Sequence, residues 1–223
     1  MIHWNEIDTV LLDMDGTLLD LHFDNYFWLD HLPAKYADFH GMNKDQALET
    51  LTEQMAQKQG QLEWYCLDYW SDLTQMPIAK LKQDVTHKIQ FRPHVPDFLQ
   101  SLKDAGKRSV IVTNAHRDSV DLKMLHTGLD SLVDRIISSH DYGYAKEDQR
   151  FWQHLIQDEP FDKTRTLLID DSLAVLESAK TYGIQHLSCI YEPDSQKPKR
   201  EITEYHSIDA FKDVMPVKET PSE

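Results

Sequence analysis

The chain is poor in basic residues, in cysteine and in long apolar segments, and each shortage excludes a class of protein. Lys and Arg number 23 against 38 Asp and Glu, a formal net charge of −15. We therefore expect no nucleic acid and no anionic membrane surface as partner, because phosphate contacts require cations. The two cysteines, Cys66 and Cys189, lie far apart and in no CxxC spacing, which favours a reducing compartment without disulfides.

No apolar run approaches the roughly 18 residues of a membrane span, and the N-terminus lacks the basic and apolar regions of a signal peptide. We therefore expect a soluble cytoplasmic protein. The twelve histidines are scattered without HxH or HExxH spacing, so their pattern does not predict a zinc site. With 40% apolar residues among 223, the chain can bury one good-sized domain, or a core domain with a smaller insertion.

Short apolar runs alternate with helical patterns along most of the chain. The runs are rich in Val, Ile and Leu, as strands buried on both faces of a parallel sheet are; they cover 9–14, 108–113, 135–139, 166–170 and 185–190. The helical patterns cover 95–106, 118–129, 147–156 and 172–183; the second of these repeats Val120, Met124 and Thr127, with Leu122 and Leu125 beside them. This alternation predicts an α/β fold with a Rossmann-like parallel sheet.

Residues 19–90 break the alternation and contain no predicted strand. Three or four helices are expected there, bounded by Pro33, Gly41, Gly60 and Pro77. We therefore predict a core domain of residues 1–18 and 91–215, an inserted helical cap domain of residues 19–90, and a flexible tail of residues 216–223. From Glu192 onward the sequence is polar and proline-rich, and most of it is expected at the surface or disordered, apart from a short helix near "IDAFKDVM".

Three predicted strands end on polar side chains. Asp13 and Asp15 follow the first, Thr113-Asn114 ends the second, and Asp170-Asp171 ends the fourth. Ligands of open parallel sheets bind beyond the carboxyl ends of the strands. If the first and fourth strands are neighbours, four carboxylates meet there, and such a cluster favours a hard divalent cation such as Mg²⁺. Taken alone, Asp13 and Asp15 fit a solvated turn and Thr113-Asn114 fits a helix cap.

The stretches "DMDGTLLD", "VTNA" and "LLIDDSLAVLESA" occur in that order. They resemble the first, second and fourth motifs of the haloacid dehalogenase-like hydrolases. The resemblance implies that Asp13 is a nucleophile and Mg²⁺ ligand that forms an aspartyl-phosphate. It implies that Asp15 is a general acid and base whose backbone carbonyl binds the metal. Asp170 and Asp171 would complete the metal shell, and Thr113 would hold the phosphate.

The third motif of that family is a lysine. Lys146 fits it by position, although the usual pattern has proline next and this chain has Glu147. The alternatives are that Lys146 is an exposed residue opening a helix, or that Lys163 has the role. The resemblance also implies that Gly16, Asn114 and Lys146 contact the phosphate together with Thr113.

A narrower resemblance, to a bacterial branch of GMP/IMP 5′-nucleotidases, lies in "DMDGTLLDLHFDNYFW", "WYCLDYWS", "IVTNAH" and "GYAKEDQRFW". It implies a purine nucleoside monophosphate as substrate. The expected positions near the site entrance are Asn25, Tyr26, His116 and Arg117, although His116 fits a surface helix start equally well. A purine could stack on an aromatic residue of the cap, whereas helical spacing favours Trp28 and Trp70 as parts of the cap's own core.

The expected reaction is Mg²⁺-dependent hydrolysis of a phosphate monoester, since Thr17 after Asp-Gly is common among the phosphatases of the family. Three alternatives stay open: a sugar-phosphate phosphatase, a phosphomutase, and a catalytically idle module that binds a phosphorylated ligand. A binder has no need of a general acid such as Asp15, which argues for an enzyme.

Overall fold

The structure, a computed structural model, describes residues 2–216. Residues 217–223 of the predicted tail lie outside the described residues, and Pro216, where that prediction began, is buried. No helix within residues 2–216 is both long enough and apolar enough to cross a membrane.

Six parallel strands form one sheet in the order β3-β2-β1-β4-β5-β6. Their bounds are β1 Thr9–Leu12, β2 Arg108–Thr113, β3 Arg135–Ser138, β4 Thr166–Asp170, β5 His186–Ile190 and β6 His206–Ile208. All residues of β1 and β4 are buried, because helices cover both faces of the sheet. The predicted parallel α/β fold is confirmed, and β1 lies between β2 and β4, as convergence of the acids requires.

The sixth strand corrects the prediction for the C-terminal region. Residues beyond Glu192 were expected at the surface or disordered, yet β6 pairs in parallel with β5. Ile208 and Phe211 are each only 1% exposed and pack in the core. The expected short helix is a single 3₁₀ turn, Phe211–Asp213.

The helices fall into two groups, one before β2 and one that alternates with the strands. Their bounds are α1 His22–Tyr26, α2 Leu32–His40, α3 Lys44–Ala56, α4 Leu62–Tyr65, α5 Leu67–Thr74, α6 Ile78–Lys82, α7 Val95–Asp104, α8 Arg117–Thr127, α9 Gln149–Asp158 and α10 Leu173–Tyr182. Phe98 of α7 packs on one face of the sheet, and Trp152 of α9 and Leu176 of α10 pack on the other.

Helix α8 differs from its predicted apolar face. Val120 is buried as expected, but Leu125 is 83% exposed. The neighbours of Val120 that are buried are polar, Ser119 at 3% exposure and Lys123 at 1%. A helix that buries a lysine needs a counter-charge beneath it, because an unpaired buried ammonium is costly.

Residues 22–88, called the helical segment below, have a hydrophobic cluster of their own that includes Phe23, Phe27, Trp70 and Val85. Pro33 was predicted to bound a helix, but α1, a π-helical turn and α2 run on without a break through it. Pro33 is close to the start of α2, where the wider turn before it accommodates a residue without an N–H. The division into a core and a cap domain stays a prediction.

Candidate active site

The pairing of β1 with β4 brings three predicted carboxylates together. Leu12 pairs with Ile169, and the amide of Asp13 donates to the Ile169 carbonyl at 2.9 Å. Asp170 is the last residue of β4, so Asp13, Asp170 and Asp171 leave adjacent strands at the same edge. One carboxylate oxygen of each lies within 4.8 Å of those of the other two.

Lys146 is 2% exposed and lies between two of these acids. Its Nζ donates to Asp13 Oδ1 and to Asp170 Oδ2, each at 2.7 Å, and to the Val112 carbonyl at 3.0 Å. Burial alone would lower the pKa of Lys146, but the two carboxylates raise it well above its usual value, so the ammonium stays charged. The alternative lysine, Lys163, instead donates to the Tyr182 carbonyl.

This cluster has an excess of acidic groups, because three carboxyl groups face one buried ammonium, that of Lys146. Burial raises the pKa of Asp13 to about 6 in spite of Lys146. Burial, together with the charges of Asp13 and Asp170, raises the pKa of Asp171 well above its ordinary value. Such a surplus of oxygen donors fits a hard cation such as Mg²⁺, which takes carboxylate ligands together with water or substrate oxygens.

Gly16 determines how close the turn after β1 comes to Asp171. Its φ is +89°, and a Cβ at this position would lie 2.9 Å from the Asp171 carboxylate, so that only glycine fits without strain. The phosphate contact of Gly16 stays a prediction. Its amide donates to the Leu19 carbonyl at 2.8 Å and is therefore already bonded within the turn.

Asp15 belongs to a second set of charges that sequence reasoning missed. Lys123 Nζ lies 2.6 Å from Asp15 Oδ1 and 2.7 Å from Asp24 Oδ2, and Lys82 Nζ lies 2.6 Å from Asp24 Oδ1. Lys123 and Lys82 are 1% and 2% exposed. We call Asp15, Lys123, Asp24 and Lys82 the ion chain; it begins at the sheet edge and ends in the helical segment.

The pKa values along the ion chain follow burial and neighbouring charge. Burial raises the pKa of Asp15 to about 6, although Lys123 opposes the shift. Burial would also raise the pKa of Asp24, but Lys123 and Lys82 hold it well below its usual range. Asp15 and Asp24 in turn raise the pKa of Lys123 against the effect of burial. Asp24 is therefore the fixed negative charge between two cations.

Thr113 and Asn114 both line the cavity described below, but their side chains have different tasks. Thr113 Oγ1 accepts from the Ala115 amide at 3.1 Å. Asn114 Oδ1 accepts from the Lys146 amide, and its Nδ2 donates to Glu147, each at 2.9 Å. The Asn114 side chain therefore fixes the loop that carries Lys146, and its phosphate contact stays a prediction.

Glu147 stands where the family pattern has proline, and it joins two parts of the chain. Its Oε1 accepts from the hydroxyl of Tyr65, in the helical segment, at 2.8 Å, while its other oxygen accepts from Asn114. Burial and the charge of Glu147 raise the pKa of Tyr65, so the phenol keeps its proton and remains a donor.

A cavity of about 460 Å³ lies between this edge of the sheet and the helical segment. Asp13, Asp15, Lys146 and Asp171 line one end of it. The helical segment contributes an apolar wall of Trp28, Leu29, Met55, Ala56, Trp64, Tyr65 and Leu67. It also contributes the polar or charged side chains of Asp24, Asn25, Thr52, Gln59 and Lys82 to the lining. A cavity of this size with convergent polar groups at one end is typical of a small-molecule site.

The predicted substrate contacts divide into two pairs. Asn25 and His116 line the cavity, and Asn25 Nδ2 is bonded to Asp194 Oδ2 at 2.6 Å. Tyr26 and Arg117 lie elsewhere: the Tyr26 ring faces Lys88 Nζ at 4.0 Å, and Arg117 forms an ion pair with Asp141. Tyr26 and Arg117 therefore interact with residues outside the cavity and do not line it.

The aromatic residues of the helical segment divide in a similar way. Trp70 is 1% exposed, and its Nε1 donates to the Trp64 carbonyl at 2.9 Å, so it belongs to the segment's own core. Trp28 packs edge-on against Trp70 with ring centroids 5.8 Å apart and also lines the cavity. Trp64 and Tyr65 line it too.

Comparison with known proteins identifies the family of this chain and solved structures with a similar fold. The sequence profile described as haloacid dehalogenase-like hydrolase matches residues 10–189. A GMP/IMP nucleotidase of Escherichia coli strain K12, YrfG, is 39% identical over 215 residues, which are 96% of this chain and 97% of the relative.

Two solved structures are similar over nearly the whole chain. A HAD phosphatase from Thermococcus onnurineus has a TM-score of 0.77 and 22% identity, and the match covers 93% of this chain and 96% of the other. A HAD-hydrolase of Bacillus subtilis, YfnB, bound to magnesium, has a TM-score of 0.63, 21% identity and the same coverage. At these identities the two likenesses concern the fold alone.

Proposed function

The chain belongs to the haloacid dehalogenase-like hydrolases, and on that premise we propose that it is a Mg²⁺-dependent phosphomonoester hydrolase acting on purine nucleoside 5′-monophosphates, GMP and IMP. The observation that carries the chemistry is the cluster of Asp13, Asp15, Lys146 and Asp171 at one end of a single cavity. The preference for purine nucleotides rests on the similarity to the GMP/IMP nucleotidase of Escherichia coli.

In the first step, a carboxylate oxygen of Asp13 attacks phosphorus. A bond forms between that oxygen and phosphorus, and the bond from phosphorus to the nucleoside 5′-oxygen breaks. Asp15 gives its proton to this leaving oxygen, which departs as the nucleoside hydroxyl. A positioned acid of this kind contributes roughly 10²–10⁴-fold to the rate.

In the second step, water attacks phosphorus and gives a proton to the carboxylate of Asp15. The bond between Asp13 and phosphorus breaks, and inorganic phosphate leaves. Both acids thereby return to their starting states, so one active site completes the cycle. Lys146 is held by Asp13, Asp170 and the Val112 carbonyl, and it supplies fixed positive charge beside the nucleophile throughout.

The side chains of Asp13 and Asp171 and the backbone carbonyl of Asp15 would hold Mg²⁺, with Asp170 behind them. When bound, Mg²⁺ neutralises charge between the carboxylates and the phosphate oxygens. Both oxygens of Asp170 already accept protein hydrogen bonds, from Lys146 and from the Ser172 amide at 2.8 Å. The role of Asp170 is therefore to position Lys146 and support the metal shell. Thr113 would hold the phosphate.

The apolar wall of the cavity is the place for the base. Trp28, Trp64 and Tyr65 offer ring faces or edges to a planar purine, and Thr52 and Gln59 offer polar contacts to its substituents. Asn25 and His116 lie along the same cavity and would contact the ribose or base.

The test is release of inorganic phosphate from a panel of nucleoside monophosphates and sugar phosphates, with Mg²⁺ and with EDTA. Asp13→Asn removes the nucleophile at almost constant shape, and Asp162→Asn, at an exposed site, is the matched control. We expect fast release from GMP and IMP that requires Mg²⁺, persists in the control and disappears in Asp13→Asn while the fold is retained.

Other outcomes would revise the proposal in different places. Release from sugar phosphates only would keep the chemistry and overturn the purine preference. Isomerisation of a sugar phosphate that needs a bisphosphate activator would make the protein a mutase. No turnover of any compound, with retained binding of phosphorylated ligands, would make it a binding module.

A further inference from the structure

A second group of possible metal ligands lies apart from the acidic cluster. Cys66 lies between α4 and α5 of the helical segment, His116 directly precedes α8, and His140 lies in the 3₁₀ turn after β3. One ligand atom of each lies within 4.8 Å of the others. The three residues are far apart in sequence, so no local spacing marks them.

The donor set points to a different ion from the one expected at the carboxylates. One thiolate and two imidazoles suit Zn²⁺ and ions of similar chemistry, such as Co²⁺, and do not suit Mg²⁺. Zn–S and Zn–N bonds of about 2.3 and 2.0 Å in a tetrahedron place ligand atoms roughly 3.3–3.5 Å apart. Side-chain rotations that move the ligand atoms by about an ångström would therefore bring them to these distances.

His140 provides an independent sign of a missing partner. Its Nε2 is buried, and within residues 2–216 it has no hydrogen-bond partner. Burial and the neighbouring His116 lower the pKa of His140 to about 4, so its ring is neutral near pH 7. A neutral imidazole with a buried, unused nitrogen is the form that binds metal.

His116 has the surroundings that a ligand needs. Its Nε2 lies 3.5 Å from Asp68 Oδ2, so Asp68 can supply the fourth ligand or leave that position to water. Binding through Nε2 would put the ring proton on Nδ1, where Asp118 Oδ2 at 3.8 Å can accept it. The weak hydrogen bond from the Asp118 amide to Nδ1, at 3.4 Å, would be given up.

We propose that Cys66, His116 and His140 form a second metal site, for Zn²⁺ or an ion of similar chemistry, which fastens the helical segment to the sheet. The neighbouring Tyr65–Glu147 hydrogen bond already joins the same two parts. His116 also lines the cavity, so a metal bound there would fix one residue of the cavity wall.

The test is titration of the full chain with Co²⁺ in excess Mg²⁺, which saturates hard carboxylate sites. Binding at one equivalent should produce a thiolate-to-cobalt charge-transfer band and the intense visible bands of a tetrahedral ion. Cys66→Ser should abolish the charge-transfer band, whereas Cys189→Ser, at the other free thiol, should keep it.

His140→Gln tests the site without altering a thiol. It should weaken Co²⁺ binding by at least about tenfold, measured in competition with a chelator, with the fold checked by circular dichroism. Absence of a charge-transfer band in the wild-type chain would overturn the proposal, whatever the variants do. A band that persists in Cys66→Ser, or an affinity unchanged in His140→Gln, would do the same.

Discussion

Lys146 and Lys123 are both almost completely buried, but they connect different parts of the molecule. Lys146 contacts Asp13, Asp170 and a backbone carbonyl of β2, all at the edge of one rigid sheet. Lys123 also touches a residue of that edge, Asp15, but its second carboxylate belongs to Asp24 in the helical segment. The first lysine fixes Asp13, the proposed nucleophile, whereas the second makes the position of Asp15 depend on the helical segment.

Replacing Lys146 by methionine should give the largest effect on turnover. The variant loses the cation fixed beside Asp13, and we expect kcat to fall by about 10²–10³-fold. The measurement is phosphate release under saturating Mg²⁺. Lys163→Met, at the alternative lysine, is the control and should keep near wild-type turnover. Equal activity of the two variants would remove Lys146 from the mechanism.

Lys123→Met should lower kcat less, by about 10²-fold, because Asp15 remains as the acid but loses its fixed position and the cation that opposes the rise of its pKa. KM should change much less than kcat, since Lys123 faces Asp15 and not the apolar wall. Leu125→Met, at an 83% exposed position of the same helix, is the matched control. A rise in KM at constant kcat would instead assign Lys123 to substrate binding.

Asp24→Asn tests the link between the two parts through stability. It leaves two buried ammonium groups without their shared carboxylate, which should cost about 3–5 kcal/mol of unfolding free energy. Asp30→Asn breaks the exposed pair with Lys44 and should cost about 0–1 kcal/mol in the same urea titration. Similar losses in both variants would mean that the ion chain contributes no more than a surface pair.

The difference in unfolding free energy between wild type and Asp24→Asn should become smaller as the pH falls. The pKa of Asp24 is lowered in the folded protein, so its contribution is fully present above the unfolded pKa of about 3.9. The contribution is lost as the pH falls toward the lower folded pKa. Wild type and Asp24→Asn should therefore converge in stability only in strong acid.

Tyr65→Phe should give the smallest effect, because it removes one hydrogen bond between the two parts and no charge. We expect about 1 kcal/mol of lost stability and a small change in kcat. Tyr26→Phe, whose ring lies away from the cavity, should leave both unchanged. A large fall in kcat for Tyr65→Phe would place the critical link at Glu147 and not at Lys123.

Most of the sheet could be predicted because its central strands are buried on both faces and read as apolar runs. The sixth strand could not, since His206–Ile208 is a three-residue edge strand with one buried apolar residue. Its place in the fold depends on the pairing with β5, which no local pattern reveals. The apolar face of α8 was misjudged for a related reason, because Lys123 is buried only through its distant carboxylate partners.

The candidate site also contains some residues that could be predicted from the sequence and others that could not. Asp13, Asp170 and Asp171 lie at the ends of strands that the apolar runs predict, and Lys146 follows from a motif in chain order. That the first and fourth strands are neighbours was a condition of the prediction, and the structure meets it. Lys123 and Asp24 are far apart in sequence, and each looks like a solvent-facing charge within a helical pattern. Ion pairs and ligand clusters whose residues meet only in the folded chain have no characteristic spacing in the sequence. The cluster of Cys66, His116 and His140 is one of them.

The central place of β1 also has a consequence for the order in which the chain assembles. Thr9–Leu12 are synthesised well before their neighbours in the sheet, Arg108–Thr113 and Thr166–Asp170. The helical segment is synthesised in between, and its cluster needs mainly residues that are already made. Nearby contacts form first because closing a long loop costs more entropy. We therefore expect the contacts within the helical segment to form before β1 completes its pairing, which must wait for the synthesis of β4.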